Sequence, residues 1–206
     1  DVYKRQAHNC AMILGMRYFG EHKKGTLTLA WSLANRFDYV ACHGGMKRYN
    51  LEGGKSYTIG VFGLSGSGKS TLTHEKHDGR YDISILHDDA YVINTNDLSS
   101  IALEPTYFDK MQDYPVEHPA NEFLLTLQNV GVTMDEDGRK VVLAEDVRNS
   151  NGRAIKSQFW TDNRVNYVGE PVNAIVWLMK DKTLPPILKI SDPVLASTMG
   201  ATLATR

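Results

Sequence analysis

Short apolar runs bounded by turn residues dominate the hydrophobic pattern of this chain. Runs of this length, rich in β-branched and aromatic residues, predict buried strands. The predicted strands cover residues 10–15, 39–42, 57–62, 83–86, 140–143 and 174–179. The sequence Asp-Glu-Asp-Gly at residues 135–138 predicts a hairpin turn before the 140–143 strand. Many short strands with few long helices indicate an α/β domain with a mixed sheet.

Helical periodicity is confined to a few segments. Leucine and alanine at near-helical spacing predict a helix over residues 24–35. Further helix candidates are the apolar residues 121–130 and the alanine-rich residues 193–206. A helix that opens at Ser70 is expected to be short, because His-Asp-Gly at residues 77–79 breaks the pattern within about three turns.

A glycine-rich loop directly follows the 57–62 strand and matches the pattern G-x-x-x-x-G-K-[ST]. Glycines let backbone N–H groups curl around phosphate oxygens, the lysine reaches the β and γ oxygens, and the final hydroxyl ligates Mg²⁺. The loop therefore predicts a nucleoside triphosphate site. Its residues are Gly63, Leu64, Ser65, Gly66, Ser67, Gly68, Lys69, Ser70 and Thr71.

The carboxylate pair Asp88 and Asp89 is the second candidate for chemistry. It follows Lys69 by about twenty residues, across the short helix and the 83–86 strand, a layout that returns an acid to the phosphates. One of the two should meet a metal, since Mg²⁺ and Mn²⁺ favour such hard oxygen ligands. His74 and His77 lie three residues apart, and a polar helix face explains them better than a metal pair.

Composition narrows the class of partner. A chain of 206 residues with 42% hydrophobic content suits one large domain. The net charge of −1, from 23 basic and 24 acidic residues, offers no basic stripe for nucleic acid and no polybasic membrane anchor. No apolar run approaches the length of a membrane span. We therefore expect small anionic ligands and no polymer. A monomer is a separate expectation, which the composition does not decide.

The two cysteines and the chain ends give three further expectations. Cys10 and Cys42 lack C-x-x-C spacing, which predicts two buried thiols in a reducing, cytoplasmic location. The chain starts without methionine and stops within a helix-like stretch, so a fragment truncated at both ends is expected. Residues 1–6 are then possible non-native sequence, and residues 7–206 form a partial catalytic domain with no internal boundary.

Five ordered segments together resemble the family of ATP-dependent phosphoenolpyruvate carboxykinases. They are Tyr-Phe-Gly-Glu-His-Lys-Lys at residues 18–24, His43, the loop at 63–70, His-Asp-Asp at 87–89, and Asp-Asn-Arg-Val-Asn-Tyr at 162–167. The resemblance spans most of residues 10–190 and implies a mixed-sheet, P-loop kinase-like domain. It also implies that oxaloacetate is decarboxylated and its enolate phosphorylated by ATP, giving phosphoenolpyruvate, ADP and carbon dioxide, the reaction of gluconeogenesis.

The resemblance further implies a metal site. Lys24, His43 and Asp89 stand where the family has the ligands of a Mn²⁺ ion. Ser70 stands where the family binds the Mg²⁺ that accompanies ATP. A metal ion held in this way grips both the enolate oxygen and the γ-phosphate in the reaction that the resemblance implies.

The remaining implied roles concern substrate and nucleotide. Lys24, Lys69 and Arg164 correspond to the catalytic cations, and Arg164 bridges phosphate and substrate in bidentate fashion. Tyr18 corresponds to a tyrosine beside the substrate, which Lys24 and Arg164 also contact. Glu104 corresponds to a glutamate that contacts ATP, as Arg164 does.

Two other classes of protein remain open. A kinase of the HPr kinase type shares the strand, the loop and a following acidic pair, and would phosphorylate a protein serine. A non-catalytic nucleotide-sensing module would bind ATP through the loop, with a metal triad that is accidental. Manganese dependence separates these readings, because a sensor should bind ATP equally well with Mg²⁺ alone and after His43→Ala.

Overall fold

The computed structural model describes residues 2–15, 19–104, 107–110, 131–142, 153–156 and 166–203. The strands are β1 (Val2–Arg5), β2 (Cys10–Ile13), β3 (Tyr39–Asn50), β4 (Ser56–Gly63), β5 (Asp82–Asn94), β6 (Ser100–Ala102), β7 (Tyr107–Lys110), β8 (Val132–Met134), β9 (Lys140–Val142), β10 (Arg153–Lys156), β11 (Tyr167–Val168) and β12 (Ala174–Leu178). The helices are α1 (Phe19–Asn35), α2 (Lys69–His74) and α3 (Pro193–Leu203). The helix candidate at residues 121–130 lies outside the described residues.

The chain divides into two compact units. The first unit comprises Asp1–Ala30 and Glu104–Asp162, and the second comprises Trp31–Leu103 and Asn163–Arg206. In the first unit, β1 pairs with β2, β7 with β10 and β8 with β9, each pair antiparallel. The predicted hairpin turn is confirmed, because Asp135–Gly138 lies between β8 and β9 and Asp135 N–H donates to Arg139 O at 2.9 Å.

A six-stranded sheet forms the body of the second unit. Its order is β11-β6-β5-β3-β4-β12. All neighbouring strands in it are antiparallel except β4 and β12, which are parallel. The predicted α/β class with a mixed sheet is therefore confirmed. No helix among the described residues is long and apolar enough to cross a membrane.

The two central strands are longer than the sequence pattern predicted. β3 runs from Tyr39 to Asn50, although its predicted end was residue 42, and β5 runs from Asp82 to Asn94, although its predicted end was residue 86. The two strands pair along their length, with a bulge between Met46 and Lys47. Ladder hydrogen bonds on both sides of β3 outweigh the low strand propensity of its glycines and of the acidic pair. The acidic pair therefore lies inside a strand.

The core of the second unit lies on the central strands. It consists of buried side chains from β3, β4, β5, β11 and the segment before β12: Cys42, Met46, Phe62, Leu86, Tyr91, Ile93, Val168 and Val172. A tyrosine of this core and a buried histidine on the same strand are bonded to other buried groups: Tyr91 Oη donates to Gly45 O at 3.2 Å, and His87 Nε2 lies 2.9 Å from Ser100 Oγ. Bonds of this kind let polar groups enter a core without a large desolvation cost.

Two glycines of β3 allow close packing against its neighbours. A Cβ atom at Gly45 would lie 2.6 Å from Thr73 Cγ2 and 2.7 Å from Thr73 Cβ, both on α2. A Cβ atom at Gly44 would lie 2.9 Å from Cδ1 of the Phe62 ring. Glycine at position 45 therefore lets α2 contact the backbone of β3 directly, and glycine at position 44 lets the Phe62 ring of β4 pack closely against the same strand.

Helix α2 is only six residues long, as the break at residues 77–79 predicted. A buried lysine on β3 holds its last turn. Lys47 Nζ donates to Leu72 O at 2.9 Å and to Glu75 O, and lies 3.1 Å from His77 Nε2. Burial lowers the pKa of Lys47, and the negative charge of Glu75 partly opposes that shift. A cation here satisfies carbonyl groups that the helix end leaves unpaired and complements the helix dipole.

The two cysteines lie in different environments. Cys42 is buried, which raises its pKa to about 12, whereas Cys10 is exposed on the two-stranded sheet of β1 and β2. The prediction of a buried thiol was therefore wrong for Cys10, because a two-stranded sheet leaves one face open to solvent.

Thiol titration of the native chain at about pH 8 is expected to report one fast thiol. Cys10 is accessible, whereas a thiol with a pKa of about 12 is thiolate in roughly one molecule in ten thousand at that pH. Absorbance with a chromogenic disulfide reagent, with and without denaturant, measures this. Cys10→Ser should leave no fast thiol, and two fast thiols in the native wild type would contradict the burial of Cys42.

Candidate functional site

The glycine-rich loop connects β4 to α2 by a tight turn. Ser67 N–H donates to Leu64 O at 3.1 Å, and the backbone φ angles of Gly66 and Gly68 are 69° and 95°. A side chain at either glycine would be strained in this left-handed region. Such a conformation lets successive backbone N–H groups converge on one point, which is the geometry of an anion-binding nest. The local structure therefore suits a phosphate group.

Lys69 is the cation of the loop. Its Nζ donates to Leu64 O at 2.9 Å, across the turn that the loop makes. Burial lowers the pKa of Lys69, while the negative charges of Asp89 and Asp88 oppose that shift. The ammonium group therefore lies within electrostatic reach of both carboxylates.

The register of β3 explains how the loop and the acidic pair come to the same place. Gly45 pairs with Val61 of β4 on one side and with Asp88 of β5 on the other, and Gly44 pairs with Asp89. The end of β4, where the loop begins, is therefore level with the acidic pair on β5. The strand β3 lies between them. Antiparallel pairing on both sides of β3 fixes this arrangement.

His43 and Asp89 meet across β3 and β5. His43 Nε2 lies 2.9 Å from Asp89 Oδ1, and the two side chains are 64% and 29% exposed. Asp89 has a φ of 73°, a conformation that costs a residue other than glycine of the order of 1 kcal/mol or more. Backbone strain of this kind clusters at functional positions. The contact between His43 and Asp89 places one nitrogen and one oxygen, both possible metal-ligating atoms, together at an accessible point.

Asp88 faces different groups from its neighbour. It is buried, its Oδ2 lies 3.2 Å from His74 Nε2 on α2, and its Oδ1 accepts from Asp89 N–H at 3.1 Å. Protein groups therefore contact both oxygens of Asp88. Of the two carboxylates that the sequence left as alternatives, Asp89 is the more accessible one.

His74 and His77 take part in separate contacts. His77 Nε2 lies 3.2 Å from Tyr49 Oη and next to Lys47, whereas His74 pairs with Asp88. The described part of the chain has no group of three or more His, Cys, Asp and Glu side chains placed to hold a metal ion. The expectation of a polar helix face did not include these contacts, in which His77 meets β3 and His74 meets β5.

The other predicted site residues lie in the first unit or outside the described residues. Lys24 is exposed on α1, and its carbonyl oxygen accepts from Thr28 Oγ1 at 2.7 Å. Its neighbour Lys23 forms an ion pair with the buried Glu104 at 3.2 Å, so Glu104 has a partner within its own unit. Tyr18 and Arg164 lie outside the described residues.

One lysine beside the loop escaped the sequence analysis. Lys180 follows β12, and its Nζ would lie 3.4 Å from a Cβ atom built at Gly66. A surface cavity of about 350 Å³ adjoins the same loop. It is lined by Ser67, Gly68, Thr71, Leu72, Glu75 and Leu178. Only the pairing of β12 with β4 reveals Lys180, since 110 or more residues separate the two segments in sequence.

Comparison with known proteins shows the family to which the chain belongs. A sequence model of the phosphoenolpyruvate carboxykinase family matches residues 2–196. The chain belongs to this family. It is 29% identical over 196 residues to the phosphoenolpyruvate carboxykinase (ATP) of Aeropyrum pernix, an alignment that covers 90% of this chain and 39% of that protein.

Shorter stretches match two further carboxykinases. The chain is 35% identical over 82 residues to the glycosomal phosphoenolpyruvate carboxykinase (ATP) of Trypanosoma cruzi, covering 39% of this chain and 15% of that protein. It is 43% identical over 63 residues to the corresponding glycosomal protein of Trypanosoma brucei brucei, covering 30% and 12%. The chain thus spans 39% or less of the length of each of these relatives.

Membership in the carboxykinase family confirms the resemblance that five ordered sequence segments carried. The family match extends over the loop, His43 and the acidic pair, which the sheet register brings to one level. The roles of individual carboxykinase residues stay predictions, and each needs its own measurement.

Proposed function

We propose that this chain forms the nucleotide-binding and metal-binding part of an ATP-dependent phosphoenolpyruvate carboxykinase. The observation that carries the proposal is the register of β3, which sets the phosphate loop on one side and Asp89 on the other, with His43 between them. The family match names the same enzyme. No observation on the structure favours a protein serine kinase of the HPr kinase type.

The loop is the proposed site for the phosphates of ATP in a P-loop kinase-like domain. Its glycines have the backbone conformation of a nest, and Lys69 supplies a positive charge at the start of α2. Ser70 and Thr71 are exposed in the first turn of that helix, where a hydroxyl can meet the Mg²⁺ that accompanies ATP. Glu104 is a further proposed contact of the nucleotide.

Two of the proposed ligands offer atoms of the kind that Mn²⁺ binds. His43 and Asp89 offer an imidazole nitrogen and a carboxylate oxygen within 2.9 Å of each other, and both are donors that Mn²⁺ accepts. Lys24 is the proposed third ligand, as the family resemblance implies. When bound, the ion would supply positive charge where negative charge develops on the substrate oxygen.

The proposed reaction needs no nucleophile from the protein. Loss of carbon dioxide from oxaloacetate leaves the bonding electrons in an enolate, and the enolate oxygen attacks the γ-phosphorus of ATP as the bond to ADP breaks. Lys69 and Arg164 would neutralise charge on the transferring phosphoryl group, and Tyr18 would position the substrate. Catalysis in this scheme comes from positioning and charge.

The setting of the enzyme is part of the same proposal. We expect small-molecule substrates only, a monomer, and a cytoplasmic location for the two thiols, which lie as free cysteines in the structure. The gluconeogenic direction of the reaction is likewise an expectation.

Replacing His43 by alanine is expected to weaken Mn²⁺ binding by at least about tenfold to a hundredfold, the range for loss of an outer-shell partner, because it removes a proposed direct ligand. Binding of ATP with Mg²⁺ alone should change by less than about twofold, since the loop is untouched. Free Mn²⁺ measured by electron paramagnetic resonance, with calorimetry for ATP, separates the two. His8→Ala, an exposed histidine of the first unit, is the matched control.

Two outcomes would count against the carboxykinase reading. If Mn²⁺ affinity is the same in wild type and His43→Ala, the chain behaves as a nucleotide-sensing module with an accidental metal triad. If labelled ATP transfers phosphate to serine of an added protein, the HPr kinase type is the better description. The positive result for the complete reaction is the formation of phosphoenolpyruvate from oxaloacetate and ATP, measured by a coupled assay.

A further inference from the structure

We propose that Lys180 is a second cation of the phosphate site, one that contacts the polyphosphate of ATP from the strand next to the loop. This inference rests on the proposed nucleotide site and adds a residue to it. Lys180 lies outside the G-x-x-x-x-G-K-[ST] pattern, so the sequence gives it no role.

The parallel pairing of β4 and β12 places Lys180 there. Leu178 pairs with Gly63, so both strands end at the same edge of the sheet, and each then continues into a loop. The backbones touch at this point, because a Cβ atom at Gly63 would lie 2.6 Å from Leu178 O. Ligands of α/β sheets bind outside the carboxyl ends of parallel strands.

The ammonium group of Lys180 lies over the middle of the phosphate loop. A Cβ atom at Gly66 would lie 3.4 Å from Lys180 Nζ, and Gly66 is one of the loop residues with positive φ. Lys69 Nζ bonds instead to Leu64 O. Two ammonium groups therefore border the same short loop, one at the start of α2 and one beyond β12.

The chemistry suits a multiply charged ligand. Lysine is a compact point charge on a flexible stem, so an exposed lysine beside the loop can follow phosphate oxygens that differ in position. Lys180 is exposed, as is Lys182 two residues later in the same segment. Between them, Asp181 Oδ1 accepts from Thr183 N–H at 2.8 Å and from Thr183 Oγ1 at 2.6 Å. Lys182 therefore offers a control of equal charge.

Calorimetric titration of the 206-residue chain with ATP, inorganic tripolyphosphate and AMP tests the inference. Lys180→Ala is expected to lower the affinity for ATP and for tripolyphosphate by about tenfold. A loss of this size lies between the contribution of an exposed ion pair and that of a hydrogen bond to a charged group. AMP, which lacks the polyphosphate, should change by less than about twofold. Lys180→Arg should retain most of the affinity, and Lys182→Ala should match wild type.

Lys69→Ala, measured alongside, separates failure of the inference from failure of the proposed function. If Lys69→Ala loses ATP while Lys180→Ala matches wild type, Lys180 has no phosphate role and the loop site stands. If Lys180→Ala and Lys182→Ala weaken ATP equally, the effect is general surface charge and the inference is overturned. If Lys69→Ala binds ATP like wild type, or wild type binds none, the nucleotide site and the inference fall together.

Discussion

Lys69→Ala is expected to weaken ATP binding by about a hundredfold or more while the chain keeps its fold. Charge-assisted contacts to phosphate contribute about 1.5–3 kcal/mol each, and a loop lysine reaches two phosphate groups. The Lys69 ammonium group donates to Leu64 O in the structure, so the folded variant loses one ordinary hydrogen bond. Calorimetry measures the affinity and thermal unfolding measures the stability.

Lys76→Ala is the control for Lys69, because Lys76 is an exposed lysine that lies just after α2. It should leave both affinity and melting temperature within error of wild type. Where the complete enzyme is assayed, Arg164→Ala should likewise reduce turnover more than stability. If the Lys69→Ala chain binds ATP with wild-type affinity, Lys69 is not the phosphate cation. The same conclusion follows if the variant has a lower melting temperature and unchanged ATP affinity.

Gly45→Ala is expected to destabilise the second unit by about 3 kcal/mol, at the upper end of the range for overpacked cores. The added Cβ would overlap the buried Thr73, whose own Cβ is only 2.7 Å from that position, so rotation of the threonine cannot relieve the contact. Helix α2 must then move away from β3. Urea-induced unfolding measures the loss of free energy.

Gly169→Ala is the matched control for this substitution, because its nearest contact would be 3.4 Å, to the ring of Tyr167. Its free energy of unfolding should stay within about 0.5 kcal/mol of wild type. A double-mutant cycle with Thr73→Gly, which removes the opposing Cβ, should recover part of the Gly45→Ala loss. Additive losses in that cycle would show that the contact between β3 and α2 is not the cause.

The elements of the second unit that a local pattern defines were predicted well. The strand and loop at residues 57–70, the short α2 and the strand at 174–178 all follow from apolar runs and breaker residues. Aspartate, histidine and glycine in the middle of β3 and β5 gave the opposite signal. Those strands continue because each pairs with neighbours, and tertiary pairing outweighs the propensity of single residues.

The candidate site was predicted from residue types, and its geometry could not be. The sequence singled out His43 and the acidic pair, but it could not show that His43, which pairs with Ala90, meets Asp89 and not Asp88. The φ of 73° at Asp89 has no sequence signal, because aspartate in a strand is expected to be extended. Lys180 lacked a signal for a related reason, since no local pattern encodes which distant strand pairs with β4.

Because α2 is short, the stability of its last turn depends on whether nucleotide is bound at the phosphate loop, next to its first turn. A helix of six residues is too short to persist by itself, so its order depends on what holds its ends. Lys47 holds the last turn from β3, and the phosphate loop forms the first. Any opening of this segment breaks both at once. A ligand that binds only the closed form suppresses the opening by RT ln(1 + [L]/Kd), so nucleotide would slow amide exchange at the Lys47 end, a full helix length from the phosphates.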